Sequence, residues 1–136
     1  MDIESVRAYC LSFPHATETV QWGNDLVFKI GGKMFAVISL EDASDHCMSF
    51  KCTPEEFAEL VERNGIVPAP YVARYHWVAL ERFSVLAEKE LKRLIRNAYD
   101  LVWQKLPKKA RAQLDKGSQR ATGYFLTTLI SRVVAL

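Results

Sequence analysis

The apolar residues of this chain follow first a helical and then a strand period. In residues 3–12, Ile3, Val6, Cys10 and Leu11 fall on one helical face, with Asp2 placed to cap the first turn. Pro14 stops this helix, because proline disfavours helical backbone at the residue before it. From Thr17 the period shortens to that of strands, predicting 17–21, 25–30 and 33–40. Gly31-Gly32 between the last two allows positive φ at both centres of a tight hairpin turn. A two-residue loop sets Ile30 opposite Lys33, Phe28 opposite Phe35 and Leu26 opposite Val37. The other face then carries Val27, Met34, Ala36, Ile38 and Leu40. Both faces are apolar, so one covers the core and the other is capped by a further element or left as a partner surface. A strand over His46–Lys51 turns Met48 and Phe50 one way.

Thr53-Pro54-Glu55-Glu56 reads as a helix start, with Thr53 and Glu56 forming a capping box and Pro54 in the first turn. Phe57, Leu60 and Val61 are its buried stripe, and Gly65 ends it. Residues 66–75 contain Pro68-Ala69-Pro70 and read as an extended loop, and His76–Leu80 as the last strand. Ser84 caps a long helix, about 86–106, with Leu91, Leu94, Ile95, Ala98, Leu101 and Val102 along one side, ended by Pro107. Residues 108–117 read as a polar, basic linker. From Ser118, Phe125, Leu126, Leu129, Ile130, Val133 and Val134 repeat as a short amphipathic helix. The expected fold is α+β: a two-layer α/β sandwich with helices on one face of an antiparallel sheet. Its order is α-β-β-β-β-α-β-α plus a C-terminal helix. The expected domain is 1–111, with 112–136 an extension that docks on it or pairs with a second copy as a homodimer.

With 136 residues, 49% of them hydrophobic and 25% charged, the chain can bury a core without a metal or disulfide staple. It is not disordered, collagen-like or coiled-coil in composition. Cys10, Cys47 and Cys52 include no CxxC pair and read as reduced thiols. Met1-Asp2-Ile3-Glu4 lacks signal-peptide character and no apolar run approaches ~20 residues, so the expected location is cytoplasmic, with no membrane span. The net charge of +2 hides an asymmetry. Residues 103–136 carry Lys105, Lys108, Lys109, Arg111, Lys116, Arg120 and Arg132 against Asp115 alone, while the preceding body is net negative. Such an end is either a solvated basic face or a contact for a polyanion.

Familiar catalytic signatures are missing: no GxSxG, P-loop, GxGxxG or HExxH occurs. His46, Cys47, Cys52 and His76 match no structural zinc spacing, and strand neighbours such as His46 and Cys47 point to opposite faces. A nucleophile pair of Cys52 with His76 would need hydrogen-bond proximity that spacing does not supply. Glu55, Glu59 and Glu62 read as a solvated helix face. The sheet aromatics Trp22, Phe28, Phe35, Tyr71, Tyr75 and Trp77 interleave with Lys29, Lys33, Lys51 and Arg74. Cations beside flat rings suit nucleic-acid surfaces, while core aromatics with lysine-protected edges give the same pattern.

Taken as an ordered set, these residues resemble the MmcQ/YjbR family. The matching pieces are Pro14, Trp22-Gly23, Val27-Phe28-Lys29, Gly32-Lys33-Met34-Phe35-Ala36, Phe50-Lys51 and Thr53-Pro54-Glu55. They continue with Pro70-Tyr71, His76-Trp77-Val78, Tyr99-Asp100-Leu101-Val102 and Leu106-Pro107-Lys108-Lys109. The resemblance spans about residues 3–111. It implies a frataxin-like (CyaY-like) α/β fold and a DNA-binding label drawn from likeness to the double-wing domain of a phage transcription factor. It brings no catalytic residue, cofactor or metal. On the double-wing reading Lys29, Lys33, Lys51, Arg74 and His76 carry the contact, with Trp22 and Trp77 as stacking or framing groups. The expected function is therefore a non-enzymatic binding protein with DNA as the favoured ligand. The alternative is a protein-interaction module using the apolar sheet face and the C-terminal helix. A third reading is a small-molecule pocket around Trp22, Tyr75 and Trp77.

Overall fold

The structure is a computed structural model that describes residues 1–42 and 44–120. A first compact unit, Met1–Lys105, holds a six-stranded antiparallel sheet. Its elements are α1 (Ile3–Leu11), β1 (Thr17–Gln21), β2 (Asp25–Ile30), β3 (Lys33–Ser39), β4 (Met48–Lys51), α2 (Pro54–Leu60), β5 (Ile66–Pro68), β6 (Trp77–Leu80) and α3 (Glu88–Lys105). The strands lie in the order β1-β2-β3-β4-β6-β5. A second unit begins at Leu106, and its described part is α4 (Lys108–Arg120). The basic stretch 108–117 is therefore helical rather than a linker. It follows Pro107, which a helix accepts just ahead of its first turn, and it carries Ala, Gln and Lys, residues of good helix propensity. The amphipathic pattern expected from Ser118 falls almost wholly outside the described residues.

Local signals account for most boundaries. Asp2 accepts a hydrogen bond from the Ser5 backbone amide while the Ser5 hydroxyl accepts from the Asp2 amide, closing a capping box on α1. Thr53 and Glu56 do the same for α2. The long helix starts later than Ser84 suggests, since Phe83–Val85 form a 3-10 turn and Leu86, extended and buried, precedes α3. Pro68-Ala69-Pro70 is not wholly loop either: Ile66–Pro68 pair with β6 as an edge strand, a position that tolerates proline.

One face of the sheet forms the main core. Leu91, Leu94, Ile95, Ala98, Tyr99 and Val102 of α3 are buried, and α3 lies across β2, β3 and β4. Phe28, Phe35, Phe50, Ile38 and Met48 meet this side fully buried. Phe13 stacks on Tyr99 at 4.8 Å between ring centres, and Phe35 meets the Tyr99 ring edge-on at 5.6 Å.

The β2–β3 register corrects the simple hairpin. Ile30 pairs with Lys33 as expected, but Phe28 pairs with Ala36, Val27 with Val37 and Leu26 with Ile38, because the ladder shifts between Phe28 and Lys29. Phe35 is the extra residue of a β-bulge. Its ring stays beside that of Phe28, 6.4 Å between centres. The bulge thus keeps both phenylalanines in the core and carries Ala36 and Ile38 to the helix side. Val37 and Met34 turn to the opposite face with Val27.

That opposite face is capped. Val27, Val37, Ala69, Trp77 and Ala79 form a second apolar cluster, with Met34 and Val72 packed against it. Ala69 and Val72 come from the segment joining β5 to β6, which includes a 3-10 turn at Ala73–Tyr75. The apolar second face is closed largely by its own chain.

Candidate functional site

The cap does not cover the second face completely. Between it and the strands lies a cavity of about 570 Å³, within the range of small-ligand sites. Val37, Ser39 and Ser49 come from β3 and β4, Met34 from β3, Trp77 from β6, and Ala69-Pro70-Tyr71-Val72 from the capping segment. Trp22 and Asp25 enter from the β1–β2 turn and the start of β2, and His46 from the loop before β4. Among the described residues the wall is apolar and aromatic, with Asp25, Ser39, His46 and Ser49 as its polar side chains and no lysine or arginine.

Two of the aromatic residues sit in unusual backbone. Trp22 has φ of 51° and Tyr71 of 69°, the left-handed region that bulky side chains rarely adopt. Trp22 is 67% exposed and Tyr71 99% exposed, so neither ring is held there by core packing. Backbone strain of this kind costs about 1–3 kcal/mol per residue and concentrates at functional sites. The turn could be built more cheaply with asparagine at position 22. Trp22→Asn should raise unfolding stability by about 1 kcal/mol in urea denaturation. A lower stability would mean that the indole contributes packing the turn depends on.

Of the seven residues singled out from the sequence, the structure brings Trp22 and Trp77 together on this cavity. Trp77 is only 3% exposed and forms part of the cavity wall. Lys29 and Lys51 project on the same sheet face, opposite Met34 and Trp77 in the ladders, but neither lines the cavity. The Lys51 ammonium donates to the Tyr75 carbonyl at 2.9 Å, and burial, then Lys105, holds its pKa below the usual lysine value. Lys33 stands exposed beside the hairpin turn, and Arg74 lies over the Tyr75 ring, 4.8 Å from its centre. His76 belongs elsewhere: its ring meets Phe57 of α2 edge-on at 5.7 Å. Tyr75, expected beside the two tryptophans, is not in the lining, and Tyr71 takes that place.

The cysteine chemistry considered from spacing is also redirected. The Cys52 thiol donates to the backbone carbonyl of His76, at 3.2 Å, and not to its imidazole. Burial pushes the Cys10 and Cys52 thiols up to about 12 and Cys47 to about 11, which makes the thiolate scarce near neutral pH. Among the described residues no group of three His, Cys, Asp or Glu side chains is placed to hold a metal ion. Asp25, Met34, Ser39 and Ser49 were not legible as site residues, and His46 was legible only as a candidate zinc ligand. They come from separate strands and loops, and no spacing links them.

The family model for YjbR matches residues 11–101. The chain belongs to the YjbR family. Its fold is similar to that of protein DR2400 of Deinococcus radiodurans, a DUF419-domain protein. That likeness has a TM-score of 0.73 and 29% identity, and covers 83% of this chain and 87% of that one. A protein from Pseudomonas syringae shares the fold at a TM-score of 0.63 and 20% identity, over 75% of this chain and 99% of the other. None of the curated proteins compared with the chain matches it. The matched YjbR region contains every described residue that lines the cavity. Among the described residues no helix is long and apolar enough to cross a membrane.

Proposed function

We propose that this YjbR-family chain is a non-enzymatic binding protein whose ligand is a small molecule seated in the cavity on the second sheet face. The observation that carries this reading is the coincidence of a roofed apolar cavity with two strained, exposed aromatic residues at its edge, Trp22 and Tyr71. A buried apolar wall supplies affinity, and Asp25, Ser39, His46 and Ser49 supply the few polar groups that orient a ligand.

A second reading, DNA binding, is favoured by the exposed lysines Lys108, Lys109 and Lys116 on α4 and by Lys33 beside the hairpin turn. Phosphate contacts of that kind need no pocket, and they weaken steeply with salt.

Both readings are tested on the full chain. Saturation-transfer NMR with a library of neutral and charged fragments is expected to give hits that Trp22→Ala and Tyr71→Ala each weaken at least about fivefold. Fluorescence anisotropy with labelled duplex DNA is expected to show little binding at physiological salt. Salt-sensitive DNA binding lost on Lys29→Glu/Lys33→Glu or on Lys108→Glu/Lys109→Glu, together with an empty fragment screen, would replace the first reading by the second.

A further inference from the structure

The charge around the cavity says which ligands it suits. Among the described residues Asp25 is the one carboxylate in the lining, and no lysine or arginine is among them. The two segments that build this end, residues 22–25 and 39–49, contain Asp25, Glu41, Asp42 and Asp45 and no basic residue other than His46. They lie side by side: the Leu40 amide donates to the Asn24 carbonyl at 2.8 Å, and the Asn24 side chain donates to Glu41 at 3.0 Å. Beside Asp25 in the β1–β2 ladder, the Gln21 side-chain oxygen is buried without a hydrogen-bond partner among the described residues. Acceptors and negative charge therefore gather at the same end as the exposed indole of Trp22. Tyr71 and Trp77 add a phenol and a second indole to the described lining, and the His46 imidazole lies there too. The lysines that share this face, Lys29 and Lys51, lie outside the lining, and the Lys51 ammonium is engaged by the Tyr75 carbonyl.

Three electron-rich aromatic rings with one carboxylate are the components by which proteins recognise alkylated ammonium groups, since the ring faces attract a cation that needs no hydrogen bond. We propose that the cavity holds a small organic cation, an alkylated or quaternary ammonium compound, with its head group among Trp22, Tyr71 and Trp77 and its charge balanced by Asp25. This rests on the cavity being a ligand site, and it fixes the class of ligand. An anionic or phosphorylated compound would meet Asp25 and its acidic neighbours and find no lysine or arginine among the described lining residues.

The test compares choline and tetramethylammonium with 3,3-dimethylbutan-1-ol, a neutral compound of the same shape as choline, by isothermal titration and by chemical-shift changes of the indole N–H signals. The expected result is at least about tenfold tighter binding of choline than of its neutral counterpart. The Trp22 indole signal should move, and Trp22→Ala and Asp25→Asn should each lose at least about fivefold in affinity. Both variants are checked for an unchanged melting profile, and Trp22→Phe, which keeps a ring, should recover part of the affinity. Equal affinity for choline and its neutral counterpart would overturn the cation assignment and leave the cavity as a ligand site. Preference for anionic fragments would overturn it in the same way. No response to the cations or to any fragment of the neutral library would overturn both this assignment and the ligand-site reading.

Discussion

Phe35→Ala is expected to lower the unfolding free energy by about 3–5 kcal/mol, the range for deleting a fully buried phenylalanine when its cavity cannot collapse. Phe35 is wholly buried, and its ring touches those of Phe13, Phe28 and Tyr99. Those partners come from the turn after α1, from β2 and from α3, so the site has little freedom to close around the loss. It is also the extra residue of the bulge. Removing its ring takes away the packing reason for the shifted ladder. For a unit of this size the loss corresponds to a fall in Tm on the order of 10–20 °C. Thermal and urea unfolding measure it. Phe35→Leu, which retains most of the volume, should cost roughly 1–2 kcal/mol and serves if the alanine variant does not fold. Val20→Ala, at a residue 59% exposed, should fall within about 0.5 kcal/mol of the parent. A cost for Phe35→Ala below about 1.5 kcal/mol would contradict the packing described here.

Gly65→Ala is the second large effect, through a different mechanism. Gly65 has φ of +86°, and a Cβ there would lie 2.6 Å from Val85 Cγ2 and 3.2 Å from Val85 Cγ1. The carbonyl of Gly65 also accepts a hydrogen bond from the Glu81 amide at 2.9 Å, which ties this bend to the end of β6. The strained backbone and the overlap with Val85 together should cost about 2–4 kcal/mol. The two parts can be separated. In Gly65→Ala/Val85→Ala the clash is gone and the backbone strain stays, so a double-mutant cycle should return a favourable coupling of about 1–2 kcal/mol. Strictly additive costs would show that the overlap relaxes without consequence.

The site residues divide along the same line between local and distant causes. Trp22 and Trp77 could be singled out because they interleave with basic residues along the strands and stand in the pieces that match the family pattern. Tyr71 was visible too, beside Pro70, but nothing local distinguishes it from Tyr75 four residues on. The choice was made by the capping segment. Its 3-10 turn at Ala73–Tyr75 leaves Tyr71 in the cavity lining and Tyr75 beneath Arg74. His76 follows that turn in left-handed backbone, φ 63°, and its ring meets α2. A basic and aromatic list read in sequence order therefore mixes groups that the fold sends to different places.

By itself the sequence determined the kinds of elements and most of their positions. The capping boxes at Asp2 and Thr53, the Gly31-Gly32 turn and the 3.6-residue stripe of α3 act over a few residues. Each can be read without knowing what packs where. The two apolar faces of the β2–β3 hairpin were equally legible. Which residues belong to which face was not. Phe35 and Ala36 are both apolar, so an alternating pattern is blind to the extra residue that carries Ala36 and Ile38 to the helix side and Val37 to the other. Only the tertiary structure decided that shift, through the aromatic packing that holds Phe35 beside Phe28, Phe13 and Tyr99. The same is true of the cavity. It exists because residues 69–72 fold back over Val27, Val37 and Trp77, and contacts between segments so far apart along the chain leave no local periodicity to read.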